Sequence, residues 1–149
     1  MKKWLLSSCL LLMACGALPR DPEGSYQSIT RNHVMRIGVV APESDFGRRP
    51  AALLLNRLSQ VTGARPRIVT GATEPLFQAL ERGDLDLVLT PLDPKTPWAA
   101  QVALSPAIAA RGEGERRMQY HAAMRNGENR WIMEVEAAAR DVAEPGAAS

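Results

Sequence analysis

Apolar positions run through this chain in distinct regimes. They are nearly continuous from Trp4 to Leu12, and sparse from residue 16 to 33, where Pro19, Pro22 and Gly24 interrupt them. Beyond that they alternate between short unbroken blocks and helical spacing. Val34-Met35-Arg36-Ile37-Gly38-Val39-Val40, followed by Pro42, predicts a strand over 34–40. Leu54, Leu55, Leu58 and Val61 recur on one face, and Gly63 ends the pattern, so a helix is expected over 50–62. Arg67-Ile68-Val69-Thr70 predicts a strand over 66–70. Thr73, Pro75, Leu76, Phe77, Leu80 and Gly83 then predict a capped helix over 74–82. Asp84-Leu85-Asp86-Leu87-Val88-Leu89-Thr90 predicts a strand over 84–90, solvated at its acidic entry and buried on both faces later. A further strand is expected from Met118 to Met124. A helix opening at Glu128 or Asn129 follows, with Trp131, Ile132, Val135, Ala138, Ala139 and Val142 on one side.

Strand and helix in alternation with short connections imply an α/β domain over 34–143, with a mostly parallel sheet flanked by helices. Residues 144–149 are expected to be a disordered tail. The sparse segment 15–33 reads as a flexible stalk.

The amino-terminal block changes the picture from a free domain to an exported one. Met1-Lys2-Lys3, the apolar run to Leu12, and Met13-Ala14-Cys15-Gly16 form a basic region, a short apolar core and a small-residue cleavage site. The run is about half of the ~20 residues a spanning helix needs. Leu12-Met13-Ala14-Cys15 resembles the lipobox of bacterial lipoproteins. That resemblance implies a signal peptide over 1–14, lipid such as palmitate on Cys15, and a domain tethered to a membrane facing the periplasm. Two or three acyl chains would make such anchoring permanent, since each buried methylene contributes ~0.8 kcal/mol. Gly16, in place of the Asp that favours inner-membrane retention, tilts the destination towards the outer membrane.

Composition removes several function classes. Cys9 lies in the signal and Cys15 carries lipid, so disulfides, thiol catalysis and cysteine metal sites are excluded from the domain. Of the 18 basic residues Lys2 and Lys3 belong to the signal, which leaves 16 against 16 acidic ones. A near-neutral domain does not suggest nucleic-acid binding. No GxSxG, P-loop, GxGxxG or zinc spacing is present, so the chain is not expected to be an enzyme or to hold a cofactor or metal. His33 and His121 stand far apart without metal-ligating companions. The pairs Arg48-Arg49 and Arg116-Arg117 read as solvated surface.

The middle of the chain resembles the solute-binding proteins of bacterial amino-acid ABC importers, specifically their first lobe. Val34-Met35-Arg36-Ile37-Gly38-Val39 is similar to the family's first strand. Leu80-Glu81-Arg82-Gly83-Asp84-Leu85-Asp86-Leu87-Val88 matches its L-x-x-G-x-x-D passage, and Gln101-Val102-Ala103-Leu104-Ser105-Pro106 matches the end of its ligand segment. The resemblance implies a periplasmic-binding-protein-like lobe and non-catalytic small-solute binding, with an ABC permease or an envelope protein as partner. Full members close two lobes on a ligand, yet only 15 positions separate Ser105 from Tyr120, so a single lobe is expected. At the family's carboxylate-binding Arg stands Trp98, at its hydroxyl position Asp93, and its Gly-Gly entrance is Thr90-Pro91. The expected ligand rim comprises Ser44, Phe46, Thr90, Asp93, Thr96 and Trp98, at the carboxyl ends of strands where open α/β sheets bind ligands. Asp93 and Trp98 would favour a cationic or aromatic ligand. Two structural alternatives stand beside this rim: Asp93 before Pro94 as a turn starter, and Trp98 packed on its own domain. The functional alternative is a degenerate lobe that docks another envelope protein.

Overall fold

The computed structural model describes residues 20–40, 45–93 and 95–145. Strand β1 (Val34–Val40) and strand β2 (Arg65–Gly71) pair in parallel in full register, from Val34 opposite Arg65 to Val40 opposite Gly71. Helix α2 (Arg48–Thr62) connects them. It ends on Gly63, whose φ of 68° suits a residue without Cβ and whose N–H bonds to the Ser59 carbonyl. Helix α3 (Thr73–Glu81) leads to strand β3 (Leu87–Leu92), parallel to β1 on its other side. The three parallel strands and two intervening helices thus lie where the hydrophobic pattern puts them, within a few residues.

The carboxyl-terminal part makes the sheet mixed. Strand β6 (Met118–Arg125) runs antiparallel to β3, and the short strands β4 (Val102–Leu104) and β5 (Ala109–Arg111) both pair antiparallel with β6. The order is β2-β1-β3-β6-β4, and parallel pairing is confined to β1, β2 and β3. After β3 no helix crosses over; the chain passes through a short 3-10 segment into β4, which lies on the far side of β6, and β6 later fills the place between them, antiparallel to both.

Two apolar layers sandwich the sheet. Ile37, Leu87, Leu89, Met124 and Ala122 pack against Leu54 and Leu58 of α2 and against Trp131, Val135 and Ala139 of helix α4 (Asn129–Val142). On the opposite face Val88 and Ala123 meet Leu76, Phe77 and Leu80 of α3. A central strand with helices on both sides has no polar face, hence the unbroken apolar run in β3.

Three sequence expectations need correction. The stalk over 15–33 holds a helix, α1 (Ser25–Asn32), with Ile29 buried among α2, α4 and the sheet, so the folded domain begins near Asp21 rather than Val34. The helix has only eight residues, and Pro19, Pro22 and Gly24 just before it give the segment the look of a linker. The acidic entry of β3 is not solvated strand. Asp84 is exposed, but Asp86 is buried, and its carboxylate takes the Arg36 backbone N–H at 2.7 Å together with the Arg36 guanidinium. Turn bonds from the N–H groups of Asp84 and Leu85 to the Ala79 carbonyl hold this segment out of the ladder. Glu144, expected at the start of the disordered tail, is tied to the domain by its N–H, which donates to the Ile108 carbonyl at 3.0 Å.

Candidate functional site

The carboxyl ends of β1, β2 and β3 meet the first turns of α2 around a cavity of about 260 Å³. Its walls are Val39, Ile68, Thr70 and Leu89 from the strands and Ala51, Ala52 and Leu55 from α2. Phe46, Tyr120 and Arg48 complete it. Each wall follows from a local rule. Ile68 and Thr70 alternate with Val69 along β2, so both side chains turn to the α2 face. Ala51, Ala52 and Leu55 share the inner side of α2 through its 3.6-residue period.

Two rings form the most specific part of the lining. Phe46 and Tyr120 stand edge to face, with centroids 5.9 Å apart and planes at 85°, a favoured arrangement for the aromatic quadrupole. Gly47 lies against the Tyr120 ring: a Cβ at this position would come within 2.4 Å of it, and its φ is 77°. Only glycine meets both conditions. The Tyr120 side chain is buried, and burial alone raises its pKa above the ordinary phenol value.

Among the described residues the charges about the mouth are those of Arg48, Arg111 and Asp45. Arg48 opens α2, which has no acidic residue in its first turn and no side-chain cap at Gly47. The guanidinium of Arg111 sits 4.7 Å from the centroid of the Phe46 ring. Asp45 pairs with Arg48 at 2.9 Å, both side chains being largely exposed. No Asp or Glu lines the cavity among the described residues.

Of the rim expected from sequence, only Phe46 lines this cavity. Ser44 and Cys15 lie outside the described residues. Thr90 is fully buried in β3 opposite His121, with its hydroxyl on the Pro91 carbonyl at 3.2 Å. Asp93 starts a turn: its carboxylate accepts the Lys95 N–H at 2.7 Å and its carbonyl accepts the Thr96 N–H at 3.0 Å. Thr96 caps the 3-10 segment Pro97–Ala100 by accepting the Trp98 N–H. Trp98 packs edge-on against Phe77, centroids 4.8 Å apart, on the α3 side of the sheet. The sheet itself separates it from the Phe46 cavity. Tyr120, Arg48, Ile68 and Leu55 were missed; a strand residue and a helix-face residue signal packing in sequence, and only the register of β6 against β3 brings Tyr120 to the strand ends.

His121 Nδ1 is 2.8 Å from the Ser105 carbonyl, and burial, partly offset by that bond, lowers its pKa. Among the described residues no group of three or more His, Cys, Asp or Glu is placed to hold a metal, and no helix is long and apolar enough to cross a membrane.

A single α/β lobe with this mixed sheet has the architecture of one lobe of the periplasmic binding proteins and Venus flytrap domains. The chain superposes on the arginine-bound form of domain 1 from TmArgBP with a TM-score of 0.65 at 17% identity, over 76% of this chain and 97% of that one. The VFT2 domain of Bordetella pertussis BvgS, as a double mutant, gives 0.58 at 11% identity, over 84% and 94%. An ancestral cationic amino acid solute binding protein gives 0.56 at 10% identity, over 80% and 100%. No family model matches the sequence, and no curated protein matches it.

Proposed function

We propose that this chain is a lipid-anchored extracytoplasmic protein that captures a small solute without transforming it. The observation that carries this reading is the cavity between α2 and the carboxyl ends of β1, β2 and β3, aromatic on one side and largely apolar, with Arg48 among its lining. Open α/β sheets present ligand sites at this end, because the loops there diverge while the strands hold them rigidly. The solved structures of like fold add support: domain 1 from TmArgBP is arginine-bound as a single lobe. The lipobox resemblance at Leu12 to Cys15 supports a periplasm-facing anchor, with an ABC permease as the receiving partner. The test is a thermal-shift screen of small metabolites on the chain purified from the membrane fraction. A ligand at about 100 times its dissociation constant adds ~2.7 kcal/mol. A stabilising compound whose effect disappears in Phe46→Ala is the expected result; a complete panel without effect would remove the solute-binding reading. Cys15→Ser should leave the precursor uncut or the protein unanchored, and unchanged membrane retention would remove the lipid anchor.

A second reading, a lobe that docks an envelope protein, draws on the edge strand β2. Ile68 is 52% and Val69 45% exposed there, beside an unpaired strand edge. Co-purification of a partner that is lost in Ile68→Lys, from cells in which the metabolite screen finds nothing, is the result that would favour it.

A further inference from the structure

Granting the solute-binding reading, we infer that the cavity selects a small aromatic anion, a single ring bearing a carboxylate, over amines and over amino acids. The size limits the ligand first. About 260 Å³ lies just below the ~300–1,000 Å³ of ordinary ligand pockets, enough for one ring with a short arm. The shape then asks for a ring. Phe46 and Tyr120 already stand edge to face, and Leu55, Leu89 and Val39 offer apolar walls on which a flat face can lie.

The polar groups set the sign of charge. The Tyr120 side chain, 3% exposed, borders the cavity, and no hydrogen bond links its hydroxyl to another described residue. A phenol both donates and accepts, so Tyr120 offers a carboxylate or carbonyl a hydrogen-bond donor, while the sign of charge is set by the guanidinium groups. Arg48 lines the same cavity and presents a fork that fits a carboxylate, at the uncapped, positive end of α2. Its present partner Asp45 is exposed, so the pair is held loosely and a ligand carboxylate can share the guanidinium. Arg111 over Phe46 adds positive potential on the other side. An ammonium group entering here would meet these cations, and Asp45, the carboxylate at the mouth among the described residues, is engaged by Arg48 and does not line the wall. Free amino acids carry that ammonium.

Phenylacetate and phenethylamine share a ring and nearly the same arm but carry opposite charges, and arginine tests the amino-acid reading. Isothermal titration of the membrane-purified chain should show phenylacetate binding, with phenethylamine and arginine at least about tenfold weaker. Arg48→Gln should weaken phenylacetate about tenfold or more, and Tyr120→Phe, which keeps the ring and the fold, about three- to tenfold. Binding of phenethylamine or arginine as tight as phenylacetate, or an unchanged affinity in Arg48→Gln, overturns the anion selectivity while leaving a solute site in place. If none of the three binds but the metabolite screen finds another ligand lost in Phe46→Ala, the anion class is again overturned and the site stands. If neither experiment finds a ligand, both readings fall.

Discussion

Asp21 and Glu128 cap each other's helices. Asp21 accepts the Arg130 and Trp131 N–H groups in the first turn of α4, at 2.7 and 3.1 Å, while Glu128, at the start of α4, accepts those of Glu23 and Ser25 at the start of α1, at 2.9 and 2.8 Å. Neither helix has a cap from its own N-cap side chain. Asp21 also accepts the Tyr26 N–H in the first turn of α1 at 2.9 Å, so its carboxylate serves both helices while that of Glu128 serves the start of α1.

Removing either carboxylate strands donors at a buried helix end. Asp21→Ala and Glu128→Ala are each expected to lower stability by about 1–3 kcal/mol. The double variant should lose less than the sum, because both remove the same junction between α1 and α4. Urea denaturation of the four proteins measures this directly.

Glu128 also gives the fold a dependence on acid. Burial disfavours its charge, but the hydrogen bonds from Ser25 and Glu23 and the charge of Arg125 outweigh burial and hold its pKa below the ordinary glutamate value. A depressed carboxylate contributes stability that is present above its unfolded pKa, about 4.3, and is lost as pH falls through that value towards the folded pKa. Midpoints measured from pH 7 down to pH 3 should decline more steeply for the parent chain than for Glu128→Gln.

Gly47→Ala is expected to cost about 2–4 kcal/mol, combining a left-handed backbone with a methyl driven into the Tyr120 ring. The ring must move to admit the methyl, so ligand affinity should fall with stability. A thermal melt and a titration on the same sample check both.

Trp98 offers the opposite signature. Trp98→Ala removes a half-buried ring from Phe77 and should cost about 2 kcal/mol, less than a fully buried aromatic. It should leave ligand binding intact, since the sheet lies between it and the Phe46 cavity. A lost ligand with unchanged stability would reverse that assignment.

The elements that could be read in the sequence were those with a repeated physical demand. Leu54, Leu55 and Leu58 must face the sheet on every turn, and Leu87, Val88 and Leu89 must suit two apolar layers at once, so α2 and β3 announce themselves. Helix α1 does not, because its apolar anchors are only Ile29 and the half-buried Tyr26, and much of its remaining hold comes from distant residues, among them the Glu128 carboxylate, 103 positions away from Ser25, and the Arg130 guanidinium over the Tyr26 ring. The site was half legible for a similar reason. Position at the strand ends was correct in principle, and Phe46 followed from it; Thr90, Asp93, Thr96 and Trp98 are placed by local turn and sheet geometry that faces elsewhere. Tyr120 and Arg48 converge on the cavity only through long-range register.

Under the proposed lipid anchor, the point of attachment and the cavity lie at opposite ends of the parallel strands. A pull transmitted through residue 20 reaches Asp21, whose carboxylate grips the first turn of α4, and Trp131 in that turn hands the load through its indole N–H to the Asp86 carbonyl at the base of β3. The force enters the sheet at the amino end of its parallel strands and runs along them, while the walls between α2 and the far strand ends lie off the load path. Tension on a tether at this end would strain the α1 to α4 junction well before it deformed the cavity.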